Sequence, residues 1–180
     1  MLFEDMGIKV FCYEILSGQV VYENQTCLQS HLSHGTICAM VFCSNIDISK
    51  YELYSIKIVN NISQNTSVNN LKIALDWCLD NQIKLINISM GSIFYKDYLL
   101  IKSSIKELLK QNIVIVAACN NSNVITYPAS LAGVFGVKRD TENVLNKGEY
   151  IYNENDIRGI EITSCCRYNL LKDIEIMSCN

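Results

Sequence analysis

The sequence is poor in the residues that break or loosen a chain: one proline and eight glycines in 180 residues. So little of either excludes collagen-like repeats, flexible linkers and low-complexity segments. An excess of charge of one sign is also missing. Fifteen Lys and Arg face eighteen Asp and Glu, a net charge of -3, which leaves no electrostatic footprint for nucleic acid. The longest unbroken apolar runs, 37–43 and 113–119, are equally short, far below the ~20 residues of a membrane helix. No Cys-x-x-Cys occurs, so the usual spacing of a zinc or redox pair is absent. Neither Gly-x-Gly-x-x-Gly nor a Walker-type Gly-Lys-Ser/Thr occurs, which leaves a doubly wound nucleotide-binding module without support.

What is present is a chain able to bury a core: 49% of its residues are hydrophobic and 18% charged, and the length suits one domain. Its nine cysteines are an odd count. Most sit inside apolar runs (Cys12, Cys38, Cys43, Cys78 and Cys119), where free cysteine packs as a small hydrophobe. Cys165 and Cys166 are adjacent, a poor geometry for one zinc. No signal-peptide pattern follows Met1. Together these predict reduced thiols, a cytoplasmic location and no metal site.

Short apolar runs alternate with helical spacing along most of the chain. Residues 8–15, 53–59, 83–88 and 113–118 read as strands, and 134–137 and 160–163 as further short ones. An apolar helical stretch covers 37–43. Residues 68–79 place apolar side chains at 68, 71, 74, 75, 78 and 79, the three-four spacing of an amphipathic helix. Residues 98–109 repeat that pattern. The alternation predicts one α/β domain over residues 1–180, with a mostly parallel sheet and right-handed crossovers.

Open parallel sheets carry their sites at the carboxyl ends of the strands. That rule singles out Ser89-Met90-Gly91, Asn120-Asn121 and Asp5, together with Ser33-His34-Gly35-Thr36 ahead of a helix. The last segment, continued as Ile37-Cys38-Ala39, looks like the histidine motif of the subtilisin-like serine proteases. Leu85-Ile86-Asn87-Ile88-Ser89-Met90-Gly91 resembles their substrate-binding strand. Residues 114–121 resemble the strand that ends in their oxyanion asparagine, followed here as there by Tyr127-Pro128-Ala129. Phe3-Glu4-Asp5-Met6-Gly7-Ile8 is similar to the aspartate motif. The four segments stand in that family's Asp, His, Asn order.

The resemblance implies a three-layer α/β fold with helices on both faces of the sheet, and a serine endopeptidase. In it His34 is the general base, suited by an imidazole pKa near neutrality, while His31 is a solvated loop residue. Asp5 holds the tautomer of His34, and Asn121 (Asn120 in the alternative register) donates to the developing oxyanion. Ser89, Met90 and Gly91 pair with an extended peptide substrate, the glycine leaving room for a substrate side chain. A cis Tyr127-Pro128 bond is expected on the same ground. No cofactor is implied; calcium is allowed by the resemblance, with no site nominated and metal ligands none.

That family presents its nucleophilic serine in a Gly-Thr/Asn-Ser-Met/Phe-Ala-x-Pro context, and no such segment occurs. Ser164 lacks the glycine and the Ala-x-Pro, and Ser178 has only two residues after it. The chain therefore reads as a partial peptidase domain, lacking the start of the first strand and the serine helix, with Asn180 directly before the missing serine. Without a nucleophile, acyl transfer cannot begin. The alternative reading is a non-catalytic relic that binds peptides.

Overall fold

The computed structural model describes residue 3 and residues 8–23, 34–43, 46–47, 50–59, 68–120 and 124–167. These fall into two compact units, the first extending to Ile58 and the second running from Val59 to Arg167. The architecture is α/β, with mostly parallel strands and, among the described residues, three helices.

In the first unit, β1 (Val10–Leu16) turns back into β2 (Gln19–Tyr22), and helix α1 (His34–Cys43) precedes β3 (Leu53–Lys57). The hairpin is antiparallel, with Leu16 opposite Gln19 and Tyr13 opposite Tyr22. Its two-residue turn places Ser17 at φ 50° and Gly18 at φ 80°. Two positive φ values in a row match the right-handed twist of the flanking strands. β1 pairs with β3 in parallel, Val10 opposite Leu53, and Phe11 stacks on Tyr54 across that pair at 4.9 Å. Ile8, Met40 and Cys43 are buried. Cys12 is disulfide-bonded, contrary to the free thiol expected from its apolar surroundings. Cys38, Cys43, Cys78, Cys119, Cys165 and Cys166 are free.

The second unit begins with α2 (Val68–Asp80), β4 (Leu85–Ile88), α3 (Tyr95–Lys110) and β5 (Val114–Ala118). It continues with β6 (Phe135–Arg139), β7 (Tyr150–Tyr152) and β8 (Ile162–Ser164). The sheet order is β4-β5-β6-β8-β7, parallel except for the β7–β8 pair. The apolar stripes expected from spacing are the buried ones: Leu71, Ala74, Leu75 and Cys78 on α2, and Ile101, Ile105 and Leu108 on α3. Ile86, Ile88, Ile115 and Ala117 alternate inward along β4 and β5. Each Leu or Ile buried this completely stabilises the unit by about 2 kcal/mol. Ser104 interrupts the α3 stripe, and its hydroxyl is satisfied by Asp76 of α2 at 2.5 Å.

Both helices end in the same way. Gln82 and Asn112 adopt φ 54° and 58°. The next residues, Ile83 and Ile113, donate their N–H groups back to the Cys78 and Leu108 carbonyls, at 3.0 and 3.1 Å. Gln82 and Asn112 themselves donate to Leu79 and Leu109. This double bond pattern, with a left-handed residue just past the helix, is the Schellman motif; it satisfies the last carbonyls and turns the chain straight into a strand.

Two close approaches fix the far side of the sheet. A Cβ at Gly136 in β6 would run into the Ala129 carbonyl oxygen and would also lie 3.2 Å from the Gly159 oxygen, so only glycine fits there. Beside it, Asp156 receives Lys138 of β6 at 2.6 Å and the Arg158 guanidinium at 2.6 and 2.9 Å. Its carboxylate is only 4% exposed. The Arg158 hydrogen bonds, reinforced by Lys138, hold its pKa far below the usual carboxylate range against the cost of burial.

Candidate active site

Ser89, Met90 and Gly91 leave the carboxyl end of β4, and Cys119 and Asn120 leave that of β5. The two strands run parallel with Ile88 opposite Ala117, so their ends open side by side. Between them lies a cleft of about 400 Å³, lined by Ser89, Met90, Gly91, Ala118, Cys119, Asn120 and Thr126. None of these side chains is charged. The cleft therefore suits a neutral group flanked by backbone, and offers nothing to neutralise an ion.

Each wall is held by a specific contact. The Asn87 amide donates to the Ser89 hydroxyl at 2.9 Å. Ser92 and Tyr127 form an antiparallel bridge through two backbone hydrogen bonds of 2.9 and 2.8 Å. Tyr127 also stacks on Tyr98 of α3, with ring centroids 5.2 Å apart. A Cβ at Gly91 would collide with the Thr126 Cγ2 methyl and sit 3.1 Å from the Tyr127 oxygen. The space beside Gly91 is thus occupied by Thr126, where the sequence reading had reserved it for a substrate side chain. Cys119 extends the ladder by donating its N–H to the Val137 carbonyl at 2.8 Å. Burial raises the pKa of its thiol, opposed by the nearby charges of Arg158 and Lys138. The Tyr127-Pro128 bond is cis, as anticipated.

His34 is the first residue of α1, in the first unit, and its side chain is exposed. Its Nε2 lies 3.6 Å from the Cys38 Sγ one turn further on. Asp5 and Asn121 lie outside the described residues, as do His31, Ser178 and Asn180. Ser164 closes β8 and directs its hydroxyl to the Cys165 carbonyl at 3.4 Å. The structure thus brings Ser89, Met90, Gly91 and Asn120 into one cleft, with Asn120 on its wall in the alternative register. Sequence reasoning missed Thr126, although it directly precedes the Tyr127-Pro128-Ala129 segment that drew attention. Among the described residues no group of three His, Cys, Asp or Glu side chains could hold a metal ion. Nor is any helix among them long and apolar enough to cross a membrane.

No family model matches the sequence, and no curated protein matches it. Solved structures do. The protease domain of PatA matches with a TM-score of 0.60 at 18% identity, covering 79% of this chain and 54% of that one. A lanthipeptide protease matches with a TM-score of 0.54 at 16% identity, covering 78% of this chain and 46% of that one. The chain spans about half the length of the structures it matches. These likenesses show a shared fold.

They also correct the family assignment. The four motifs pointed to the subtilisin-like proteases, whereas no family model supports that membership and the solved structures that share this fold include the protease domain of PatA and a lanthipeptide protease. The physical reason is the brevity of the motifs. An apolar strand followed by a small or Asn-containing turn is what any parallel sheet needs at its carboxyl edge, whatever the family.

Proposed function

We propose that this chain is the peptide-binding part of a serine-type endopeptidase. The observation that carries this reading is the cleft at the paired ends of β4 and β5, where Ser89, Met90, Gly91 and Asn120 converge. The fold shared with the PatA protease domain and a lanthipeptide protease supports it. An extended peptide lies along Ser89, Met90 and Gly91, which line the cleft, and adds to them as a strand. An uncharged side chain of that peptide enters the cleft.

In the full reaction His34 takes the proton of the nucleophile and returns it to the leaving amine, and Asp5 holds the imidazole tautomer. Asn121, or Asn120 in the alternative register, donates its amide to the oxyanion, an interaction that strengthens as charge develops. No segment with the context of a nucleophilic serine occurs in these 180 residues. The chain by itself is therefore expected to bind peptide without cleaving it, which is also what a non-catalytic peptide-binding relic would do.

The test is fluorescence polarisation with fluorescein-labelled tetrapeptide amides ending in Ala, Leu, Phe, Asp or Lys. Binding is expected for the three uncharged peptides and at least about tenfold weaker for the two charged ones, a difference of 1.4 kcal/mol. Absence of binding to every peptide overturns the reading. Robust labelling by a serine-directed fluorophosphonate overturns the expectation that the chain lacks a nucleophile.

A further inference from the structure

Thr126 comes from the loop ahead of β6, yet it touches both walls of the cleft. Its residue is 1% exposed. The hydroxyl accepts the Asn120 N–H at 3.1 Å and donates to the Val124 carbonyl at 3.0 Å. The methyl presses on the face of Gly91. Its own backbone is fixed by an exchange with Ser130: its N–H donates to the Ser130 hydroxyl at 3.1 Å, and its carbonyl accepts the Ser130 N–H at 2.8 Å. A side chain anchored on both sides and buried this deeply has one rotamer available, so what it touches is held in place with it.

We propose that Thr126 is a positioning residue for the cleft: its hydroxyl fixes the Asn120 backbone opposite Gly91 and so sets the gap that a peptide must enter. The inference rests on the peptide-binding reading, and deepens it by naming what holds the cleft open at one width. Thr126 acts through Asn120 and Gly91, not by reacting.

Two substitutions in the 180-residue chain separate the hydroxyl from the methyl. Thr126→Val keeps the shape and removes the acceptor of the Asn120 N–H; Thr126→Ser keeps that acceptor and removes the methyl. Amide exchange at Asn120, resolved by NMR, is expected to be about tenfold faster in Thr126→Val and within about twofold of the wild type in Thr126→Ser, the scale of one lost hydrogen bond. The Kd for the uncharged tetrapeptides is expected to rise about tenfold in Thr126→Val and to be largely restored in Thr126→Ser. Unchanged exchange in Thr126→Val overturns the clamp. Faster exchange with unchanged affinity, or equal losses in the two variants, overturns the positioning role. If the wild-type chain binds none of the peptides, the proposed function falls, and the clamp stands or falls on the exchange rate alone.

Discussion

The two units hold their candidate residues by different physics. In the second, Ser89, Gly91 and Asn120 are fixed by a parallel register, a two-bond bridge at Ser92 and Tyr127, and the buried Thr126. Apart from the Asn120–Thr126 hydrogen bond, six positions apart, these contacts join segments distant in sequence, so the cleft exists only once the unit has folded. In the first, His34 begins a helix and has Cys38 for a neighbour one turn away, a contact that needs little more than the helix itself. The difference teaches that one unit fixes its candidate residues through its sheet, whereas the other carries its histidine on a local element and leaves it exposed.

Three substitutions would break or sharpen this contrast. The largest effect is expected from Gly136→Ala, because its Cβ meets backbone at Ala129 and Gly159 and neither can move cheaply. A loss of about 3 kcal/mol in urea unfolding is expected; a loss below about 1 kcal/mol would show that the second unit is looser than described. Next is Asp156→Asn, which leaves Lys138 and Arg158 half-compensated and is expected to cost about 2 kcal/mol. Its pH dependence gives a second reading. The folded pKa of Asp156 lies below its unfolded value, so its contribution is complete above the ordinary Asp pKa of ~3.9 and is lost as the pH falls through that value towards the lower folded one. The wild-type chain should therefore lose more stability below about pH 4 than Asp156→Asn does, as measured by urea midpoints across pH. The smallest effect is expected from His34→Ala. An exposed side chain at a helix start should change stability by less than ~0.5 kcal/mol, and a loss above about 1 kcal/mol would erase the contrast between the units.

Much of the second unit was legible because its helices carry uninterrupted three-four stripes. Residues 68–79 and 98–109 were expected and α2 and α3 cover them, while 83–88 and 113–118 contain β4 and β5. The strands β2 and β7 were missed. Both are short and exposed, so neither shows an inward alternation; β7 consists of Tyr150, Ile151 and Tyr152, each more than 40% exposed. Ser17-Gly18 was a readable hairpin signal for β2, since a two-residue Gly-containing turn between β-rich runs points to one. In the cleft, Ser89, Met90, Gly91 and Asn120 were reachable through the strand-end rule. Thr126 was not, because its role depends on contacts to residues 6 and 35 positions away, which no local pattern reports. The same holds for Lys138 and Asp156, which are 18 positions apart and meet only across the sheet.

The paired Schellman turns at Gln82 and Asn112 have a consequence for how this unit can change. They are one module used twice, helix into strand, and both stand at the amino ends of the strands whose carboxyl ends form the cleft. The turns and the cleft thereby stand at opposite ends of the same two segments. Residues at the cleft end can vary while the turns that set direction and spacing stay as they are, so the scaffold can be retained as the cleft changes.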